Sequence, residues 1–260
     1  MSLIETAAKR LLRPKKEALI QKLRANKIGK RTIQAFQAVD RYDFTPPFLK
    51  YQAYEDKVLL LGRRGSTLSQ PYVVALMTDL LDPQEGDKVL EVGTATGFQA
   101  AILAELVGNF GRVITTEIDS SLARSANRRL KRVGVNNADV VQADGIYHFS
   151  AHEAFDRILV TASLVPSIHL PLYFSLREGG ICVAPFGGDD GEPGSCLMAV
   201  MKKEEGEMRV DAVIRGFSFV LAQGMMGWSK YEAAMRRLRL STFIGDAREI
   251  ELHQRDKIAA

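Results

Sequence analysis

Residues 88–98, KVLEVGTATGF, constrain the fold of this chain more than any other segment. The apolar stretch indicates a buried strand, and Gly93 and Gly97 indicate a tight loop before the next helix. Glycine has no Cβ, so its backbone can turn sharply and a ligand can approach it closely. The unpaired N–H groups and the positive dipole end of the following helix point at the same place. Doubly wound α/β folds hold nucleotide-like ligands in this way.

Strand and helix patterns alternate from position 88 onward. Strands are predicted near 88–92, 112–117, 139–143, 155–162 and 180–185, and helices near 98–107, 121–133 and 166–177. This alternation predicts an α/β fold with a doubly wound, mostly parallel sheet of the Rossmann-like type. Two further strands, 197–202 and 208–214, flank a glycine turn and predict an antiparallel hairpin at the sheet edge.

The residues before this pattern are mainly helical in character. A helix is predicted over 32–39 and ends at the polar run 40–43, and the prolines at 46–47 break helix formation. Residues 59–65 are predicted to form a loop. A second helix is predicted over 70–81, with Pro71 in its first turn. We therefore expect an N-terminal helical segment (1–82), an α/β core (83–224) and a C-terminal extension (225–260) that is partly helical over 231–240.

Positive charge is concentrated at the N-terminus. Residues 1–31 hold ten Lys and Arg against two acidic residues, a net charge of +8, whereas the whole chain carries +4. Such an arm either binds nucleic acid or acidic surfaces, or forms the solvated face of a helix that docks on the body through an apolar stripe. The second alternative is favoured, so nucleic acid is not an expected partner. The stripe consists of Leu11, Leu12, Ala18, Leu19 and Leu23.

Composition argues against several classes of protein. No run of about 18 apolar residues is present, so no membrane span is expected. The N-terminus lacks the apolar core of a secretion signal. Cys182 and Cys196 are expected as small buried side chains of a reducing, cytoplasmic compartment, although the sequence leaves a disulfide open. The four histidines show no metal-ligand spacing with these cysteines, so no metal site is expected.

The loop after position 92 discriminates between ligands. A dinucleotide fingerprint requires glycines at positions that are here 93, 95 and 98, and Ala95 and Phe98 break it. The order strand, acidic residue, Gly-x-Gly-x-Gly, helix fits better. It resembles motif I of S-adenosylmethionine-dependent methyltransferases, with Glu91 as the acidic residue and Ala95 in place of the middle glycine. The alternative is an ordinary tight turn between a strand and a helix.

Two acidic positions at predicted strand ends strengthen the nucleotide-like interpretation. Glu117 follows the glycine loop by about 20 residues, where an acid accepts hydrogen bonds from ribose hydroxyls. Its alternative role is a solvated charge at a helix N-terminus. Asp144 and Gly145 follow the next strand, and their alternative is a common Asp-Gly turn.

Residues 65–72, GSTLSQPY, complete a recognisable pattern. The chain resembles the protein-L-isoaspartate O-methyltransferase family over roughly residues 20–222. The segment 67–71 (TLSQP) matches the family's Thr-Ile-Ser-x-Pro motif, and residues 54–56 and 155–162 also fit the family. Most methyltransferases of this fold lack the Ser-x-Pro element.

The resemblance implies an enzyme of protein repair. It would methylate the free α-carboxyl group of isoaspartyl residues in damaged proteins or peptides, with S-adenosyl-L-methionine as cofactor and S-adenosyl-L-homocysteine as product. It implies Ser69 as the active-site residue. The implied cofactor-binding residues are Ser66, Thr67, Leu68, Glu91, Gly93, Thr94, Ala95, Gly97, Glu117, Ile118, Asp144 and Gly145.

The chemistry of carboxyl methylation agrees with the residues in these motifs. A carboxylate is ionised at neutral pH, so it needs no general base. Ser69 would orient it by donating a hydrogen bond, and a nucleophilic serine is not expected because no activating base is visible beside it. The alternative role for Ser69 is the N-cap of the 70–81 helix.

Several departures from the family keep other functions open. Ala95 replaces a glycine, Ser163 replaces an alanine, and Leu221 stands where the family has proline. The alternatives are a methyltransferase for another acceptor, such as RNA or a small molecule, and a non-catalytic cofactor-binding protein. The sequence leaves the oligomeric state and the preferred peptide context undetermined.

Overall fold

The fold is described from a computed structural model, which describes residues 3–62, 65–149, 154–164, 172, 174–187, 195–220, 222 and 248–249. The helices within these residues are α1 (Leu3–Ala25), α2 (Lys30–Ala38), α3 (Arg41–Phe44), α4 (Pro71–Leu81), α5 (Phe98–Val107), α6 (Ser120–Arg132) and α7 (Gly145–His148), with a 3₁₀ helix at Pro47–Gln52. The strands are β1 (Leu59–Leu60), β2 (Thr67–Leu68), β3 (Lys88–Val92), β4 (Arg112–Glu117), β5 (Ala138–Gln142), β6 (Phe155–Val160), β7 (Leu176–Gly187), β8 (Ser195–Glu204), β9 (Glu207–Ser218) and β10 (Arg248–Glu249).

Eight of these strands form one mixed sheet in the order β10-β9-β8-β7-β6-β3-β4-β5. The strands β5, β4, β3, β6 and β7 are parallel, and β8 and β9 add an antiparallel hairpin. The chain moves outward from β3 to β4 and β5, then returns to place β6 on the other side of β3. Loops at the carboxyl ends diverge at such a switch point and leave a crevice for a ligand. The predicted doubly wound sheet with an edge hairpin is confirmed.

The sequence located the central elements accurately. The predicted bounds of β3, β4 and α5 match the structure, and β5 and α6 differ by one residue at each end. The main error concerns 166–177, where a helix was predicted, because residues 176–177 already belong to the long strand β7. The described residues before it, Leu172, Phe174 and Ser175, are helical.

Apolar side chains cover both faces of the sheet. Alternate residues of each buried strand point to opposite faces, so Val89 joins the core beneath α2, α4 and α5, and Leu90 joins the core on the other face. The same alternation separates Leu159 from Ile158 and Val183 from Cys182. A parallel sheet buried on both sides is the expected setting for a ligand crevice at its edge.

The N-terminal helix α1 docks on this body, as the sequence analysis favoured, but through a different stripe. Leu19, Ile20 and Leu23 are buried, whereas Leu11 is 80% exposed and Ala18 is also exposed. The predicted stripe was wrong at these last two positions because they lie off the helical line that faces the body. Ion pairs also hold the helix on the body, such as those of Lys9 with Asp43 and of Lys22 with Asp56.

Two local predictions near the N-terminus are also wrong. The polar run 40–43 does not simply end a helix, because Asp40 caps a new one, α3, by accepting a hydrogen bond from the Tyr42 N–H at 3.1 Å. The segment 59–65 is not only a loop, because Leu59 pairs with Leu68 in the antiparallel hairpin β1–β2. Both leucines are buried, and their pairing orders the chain directly before Ser69.

Further observations complete the fold. Cys182 and Cys196 are both buried thiols that are not joined in a disulfide. Within the described parts of the chain, no helix is both long and apolar enough to cross a bilayer. The predicted helix at 231–240 lies outside the described residues, and of the C-terminal extension only β10, parallel to β9, is described.

Candidate functional site

A cavity lies at the carboxyl edge of the sheet, where β3, β4 and β6 end. Its walls are the loop after β3, the segment that leads into α4, and the residues that follow β4, β5 and β9. The predicted site residues that line it are Ser66, Thr67, Leu68, Ser69, Gly93, Thr94, Ala95, Glu117, Ile118, Asp144 and Gly145. The structure therefore brings together residues that are up to about 80 positions apart in the sequence.

The loop after β3 is fastened to both neighbouring strands. The N–H groups of Gly93 and Thr94 each donate to the Thr116 carbonyl oxygen on β4 at 2.9 Å. On the other side, the Thr161 hydroxyl lies 2.8 Å from the Gly93 carbonyl oxygen, to which it donates. A Cβ at Gly93 would stand 2.3 Å from the Thr161 Oγ1, and the φ of Gly93 is +104°. Only glycine fits there.

Ala95 adopts a backbone that the motif normally gives to glycine. Its φ is +45°, in the left-handed region. An L-residue there costs on the order of 1–2 kcal/mol. Its N–H donates to Glu117 Oε2 at 2.9 Å, a bond that the additional methyl group leaves intact. The substitution therefore keeps the glycine-type loop and adds strain.

Glu117 faces the cavity rather than the solvent. It is 9% exposed, and its Oε1 accepts a hydrogen bond from the Asp119 N–H at 3.1 Å. Asp119, not Glu117, caps α6, by accepting from the N–H groups of Ser121 and Leu122. The alternative of a solvated helix charge is therefore wrong for Glu117. Each carboxylate oxygen has a second lone pair that can accept a ligand hydroxyl.

Asp144 and Gly145 begin the short helix α7 beside the cavity. The Asp144 side chain accepts a hydrogen bond from the Ile146 N–H at 3.3 Å. A Cβ on Gly145 would lie 2.0 Å from the Thr116 Oγ1, so glycine permits the close approach of α7 to the end of β4. The pair is more than a generic turn, because its geometry forms one wall of the cavity.

Ser69 lies between β2 and α4 and is partly buried. The residue that caps α4 is Gln70, whose side chain makes no capping bond, so the N-cap alternative for Ser69 is wrong. In the first turn of α4, the backbone N–H group of Tyr72 instead donates to Asp56 Oδ1 at 2.9 Å. Ser69 is thus not required to cap the helix and lines the cavity.

Two predicted cofactor residues do not line the cavity. Gly97 is the N-cap residue of α5, with a φ of +89°, and a Cβ there would touch Ala126 and Leu130 of α6 at 3.4 Å. Glu91 lies within β3 and is completely buried. The pleat of the strand turns its side chain away from the cavity.

The Glu91 carboxyl group is held in an environment that disfavours its charge. Burial raises its pKa to about 8, the nearby charge of Glu117 adds to this rise, and the Thr115 hydroxyl opposes it. Neither carboxyl oxygen has a hydrogen bond of good geometry within the described residues, since the Thr115 hydroxyl pairs with that of Thr94 at 2.6 Å. The folded protein accordingly favours the protonated form of Glu91 near neutral pH.

Sequence analysis missed several residues of the cavity wall. Thr96 is 1% exposed, and within the described structure its hydroxyl has no hydrogen-bond partner. A buried hydroxyl without a partner in a cavity wall is suited to a ligand. Its position inside the glycine motif was a signal that could have revealed it. Other missed lining residues include Phe98, Gln99, Thr161, Val220 and Ala222.

The chain is similar to one enzyme family over most of its length. The sequence model of the family described as protein-L-isoaspartate(D-aspartate) O-methyltransferase matches residues 14–229. The protein-L-isoaspartate O-methyltransferase 2 of Nitrosococcus oceani is 43% identical over 197 residues, which cover 76% of this chain and 86% of the relative. The enzyme named protein-L-isoaspartate O-methyltransferase in Methanothrix thermoacetophila is 40% identical, and the match covers 82% of this chain and 97% of the relative.

Solved structures agree with this similarity. A structure named protein-L-isoaspartate O-methyltransferase superposes with a TM-score of 0.71 at 27% identity, covering 82% of this chain and 67% of that chain. A Plasmodium falciparum protein described as a beta-aspartate methyltransferase, solved in complex with S-adenosyl-L-homocysteine, gives a TM-score of 0.65 at 22% identity, with 79% and 97% coverage. The second likeness concerns the fold.

The strain at Ala95 predicts a stabilising substitution. Ala95→Gly should raise the free energy of unfolding by about 0.5 to 1 kcal/mol, because glycine adopts a positive φ without penalty. Chemical denaturation measures this change. Ala100→Gly, in the middle of α5, is the matched control and should lower stability instead. A loss of stability in Ala95→Gly would show that the loop is not strained.

Glu91 predicts a pH-dependent stability. Because its native pKa of about 8 lies above the ordinary value of 4.5, the native state keeps a proton that the unfolded chain loses between these two pH values. The protein therefore loses stability as pH rises through that window. Glu91→Gln removes the titration, so the free energy of unfolding should change little at pH 4.5 and rise by about 4 kcal/mol at pH 8.5 relative to the wild type. An equal difference at both pH values would contradict this.

Proposed function

This chain belongs to the protein-L-isoaspartate(D-aspartate) O-methyltransferase family, and we propose that it is the S-adenosyl-L-methionine-dependent enzyme that methylates isoaspartyl residues of damaged proteins and peptides. The observation that carries the proposal is the cavity in which Ser69, from the N-terminal segment, shares a wall with the glycine loop and Glu117 of the sheet. A site for the acceptor and a site for the cofactor thus meet in one place. The methyl ester formed would cyclise to a succinimide with loss of methanol, and water would then partly reopen the ring to normal aspartate.

The residues of the cavity fit S-adenosyl-L-methionine. Each carboxylate oxygen of Glu117 accepts one backbone hydrogen bond and can accept a second from a hydroxyl group of the ribose. Gly93 and Gly145 let the backbone of the cavity wall pack closely against Thr161 and Thr116, and Thr96 offers a hydroxyl without a partner among the described residues. When bound, the cofactor supplies an electrophilic methyl group on a positively charged sulfur. Ser66, Thr67, Leu68, Thr94, Ala95, Ile118 and Asp144 complete the proposed contacts.

The described side chains around the cavity explain how an acceptor carboxylate would react. None of the described lining residues is His, Lys or Arg, and the lining carboxylates of Glu117, Asp119 and Asp144 already accept hydrogen bonds from backbone N–H groups. An acceptor carboxylate needs no general base, because it is ionised at neutral pH. Ser69 donates a hydrogen bond that orients it, and the N-terminus of α4 favours its negative charge. Leu68 and the Val220 and Ala222 side chains exclude water from the reacting oxygen.

We also propose that two segments of the chain bind the acceptor and the cofactor separately. Residues 1–82 supply the acceptor side of the site through Ser69, and residues 83–224 form the cofactor-binding core. We propose that the enzyme acts in the cytoplasm, where thiols such as those of Cys182 and Cys196 remain reduced. Isoaspartyl polypeptides are the proposed partners.

The alternative of an RNA methyltransferase guided by the basic arm is not favoured. Several cations of the arm are used within the protein: Lys9 pairs with Asp43 at 2.7 Å, and Lys22 pairs with Asp56 at 3.0 Å. These contacts fasten α1 to the body.

The proposed function predicts selective methylation. With labelled S-adenosyl-L-methionine, an isoaspartyl peptide should become labelled at least about tenfold faster than its normal aspartyl twin, since the cavity positions one carboxyl geometry. The label should be released by base, as expected of a methyl ester. Equal background labelling of both peptides would refute the substrate assignment, and salt-sensitive labelling of RNA would support the alternative acceptor.

Two substitutions should separate the roles of the cavity walls. Ser69→Ala should lower kcat about 10- to 100-fold with little change in the Kd of S-adenosyl-L-homocysteine, because it removes a donor to the acceptor. Glu117→Gln should instead weaken that Kd about tenfold or more, because it removes a charged acceptor of hydrogen bonds. Calorimetry and steady-state kinetics measure both quantities. Lost affinity with unchanged kcat in Ser69→Ala would reverse its assigned role.

A further inference from the structure

Arg41 is a buried guanidinium that the reaction described above does not use. It is 2% exposed, although the polar run that contains it gave no sign of burial. Its Nη1 donates to the Ala53 carbonyl oxygen at 2.7 Å, and its Nη2 donates to the Ser69 carbonyl oxygen at 2.8 Å. The fork of one side chain thus joins α3, the segment before β1 and the residue proposed to orient the acceptor.

Asp56 holds the other side of the same short segment. We define the Ser69 corner as residues 68–72, the turn that joins β2 to α4. The Asp56 carboxylate accepts a hydrogen bond from the Tyr72 N–H at 2.9 Å, and Lys22 of α1 pairs with it at 3.0 Å. The positively charged Arg41 therefore binds the corner at the Ser69 carbonyl oxygen, and the negatively charged Asp56 binds it at the Tyr72 N–H group.

Burial of this arginine is unfavourable in itself. Removal from water lowers the pKa of Arg41 to about 9, an effect that the negative charge of Asp56 opposes. Its Nε also lacks a hydrogen-bond partner within the described residues. An apolar side chain could fill the same space without this cost, and buried ionic groups are retained in some proteins because they fix one geometry. The ring of Phe98, which lines the cavity, lies 5.9 Å from the guanidinium.

We propose that Arg41 and Asp56 are positioning residues for methyl transfer, which act through Ser69 by fixing the backbone of the Ser69 corner toward the cavity. The inference rests on the proposed role of Ser69. It assigns no contact with substrate or cofactor to either residue. Two charged side chains from the N-terminal segment thereby set the geometry of the acceptor site.

Arg157 provides a matched control at the other end of the same helix. Its Nε donates to the Leu81 and Asp82 carbonyl oxygens at 3.1 and 3.3 Å, where α4 ends. Arg157 also pairs with Asp87 at 3.6 Å. Like Arg41 it donates to backbone carbonyl oxygens near α4, but its partners Leu81 and Asp82 do not line the cavity, whereas Ser69 does.

The test is a double-mutant cycle between Arg41→Lys and Ser69→Ala. Lysine keeps the charge but cannot reach both carbonyls as the planar fork does. Arg41→Lys alone should lower kcat about tenfold, with less than about a threefold change in the Kd of S-adenosyl-L-homocysteine, whereas Arg157→Lys should leave kcat within about twofold. In the Ser69→Ala background, Arg41→Lys should change kcat by less than about twofold.

Hydrogen exchange gives a readout that does not depend on the substrate. Amides of the Ser69 corner should exchange about tenfold faster in Arg41→Lys and in Asp56→Ala, and at the wild-type rate in Arg157→Lys. Asp56→Ala also replaces Arg41→Lys in the kinetic cycle if the latter does not fold. Every measurement is made well below the Tm of each variant, so that global unfolding does not contribute.

The outcomes distinguish this inference from the proposed function. A wild-type enzyme that does not methylate the isoaspartyl peptide refutes the proposed function, and hydrogen exchange then still decides whether Arg41 and Asp56 fix the corner. Additive losses in the double mutant, or unchanged exchange in the corner, would overturn the inference. Non-additive losses with faster exchange in the corner would support it.

Discussion

The end of β4 holds the loop that follows β3, and the cavity depends on this contact. The N–H groups of Gly93 and Thr94 bind the Thr116 carbonyl oxygen, and the Ala95 N–H binds the Glu117 carboxylate, all at 2.9 Å. The loop is thereby folded back over the strand that carries the proposed ribose acceptor. Because β4 pairs with β3 in parallel, the two strands end at the same edge of the sheet. The loop that follows β3 therefore lies directly beside the end of β4.

The same contact explains why glycines stand where they do. The Thr116 Oγ1, which donates to the Glu91 carbonyl oxygen of β3 at 3.1 Å, occupies the space that a Cβ at Gly145 would need, and Thr161 occupies the space beside Gly93. The cavity wall is therefore made by close packing of backbone against threonine side chains. Ala95 shows that the loop tolerates one methyl group at the price of backbone strain.

The sequence was most informative where structure is determined locally. The bounds of β3, β4 and α5 were predicted correctly because each segment has a strong apolar pattern between clear stop signals. The hairpin β1–β2 was missed because Leu59 and Leu68 pair across a segment with no regular pattern. Glu91 and Gly97 were assigned to the site by a motif, which specifies positions along the chain but not which of them face the cavity. The burial of Arg41 and the contribution of Thr161 depend on contacts between distant segments, so neither followed from local sequence.

We infer that one cavity holds a methyl donor bound by Glu117 beside Ser69. A crystal structure of the protein with S-adenosyl-L-homocysteine is the decisive experiment. We expect ribose hydroxyls on the Glu117 carboxylate, the glycine loop against the homocysteine portion, and the Ser69 hydroxyl on the side of the cavity where the sulfur lies. A ligand bound elsewhere, or a sulfur directed away from Ser69, would show that the inferred arrangement is wrong.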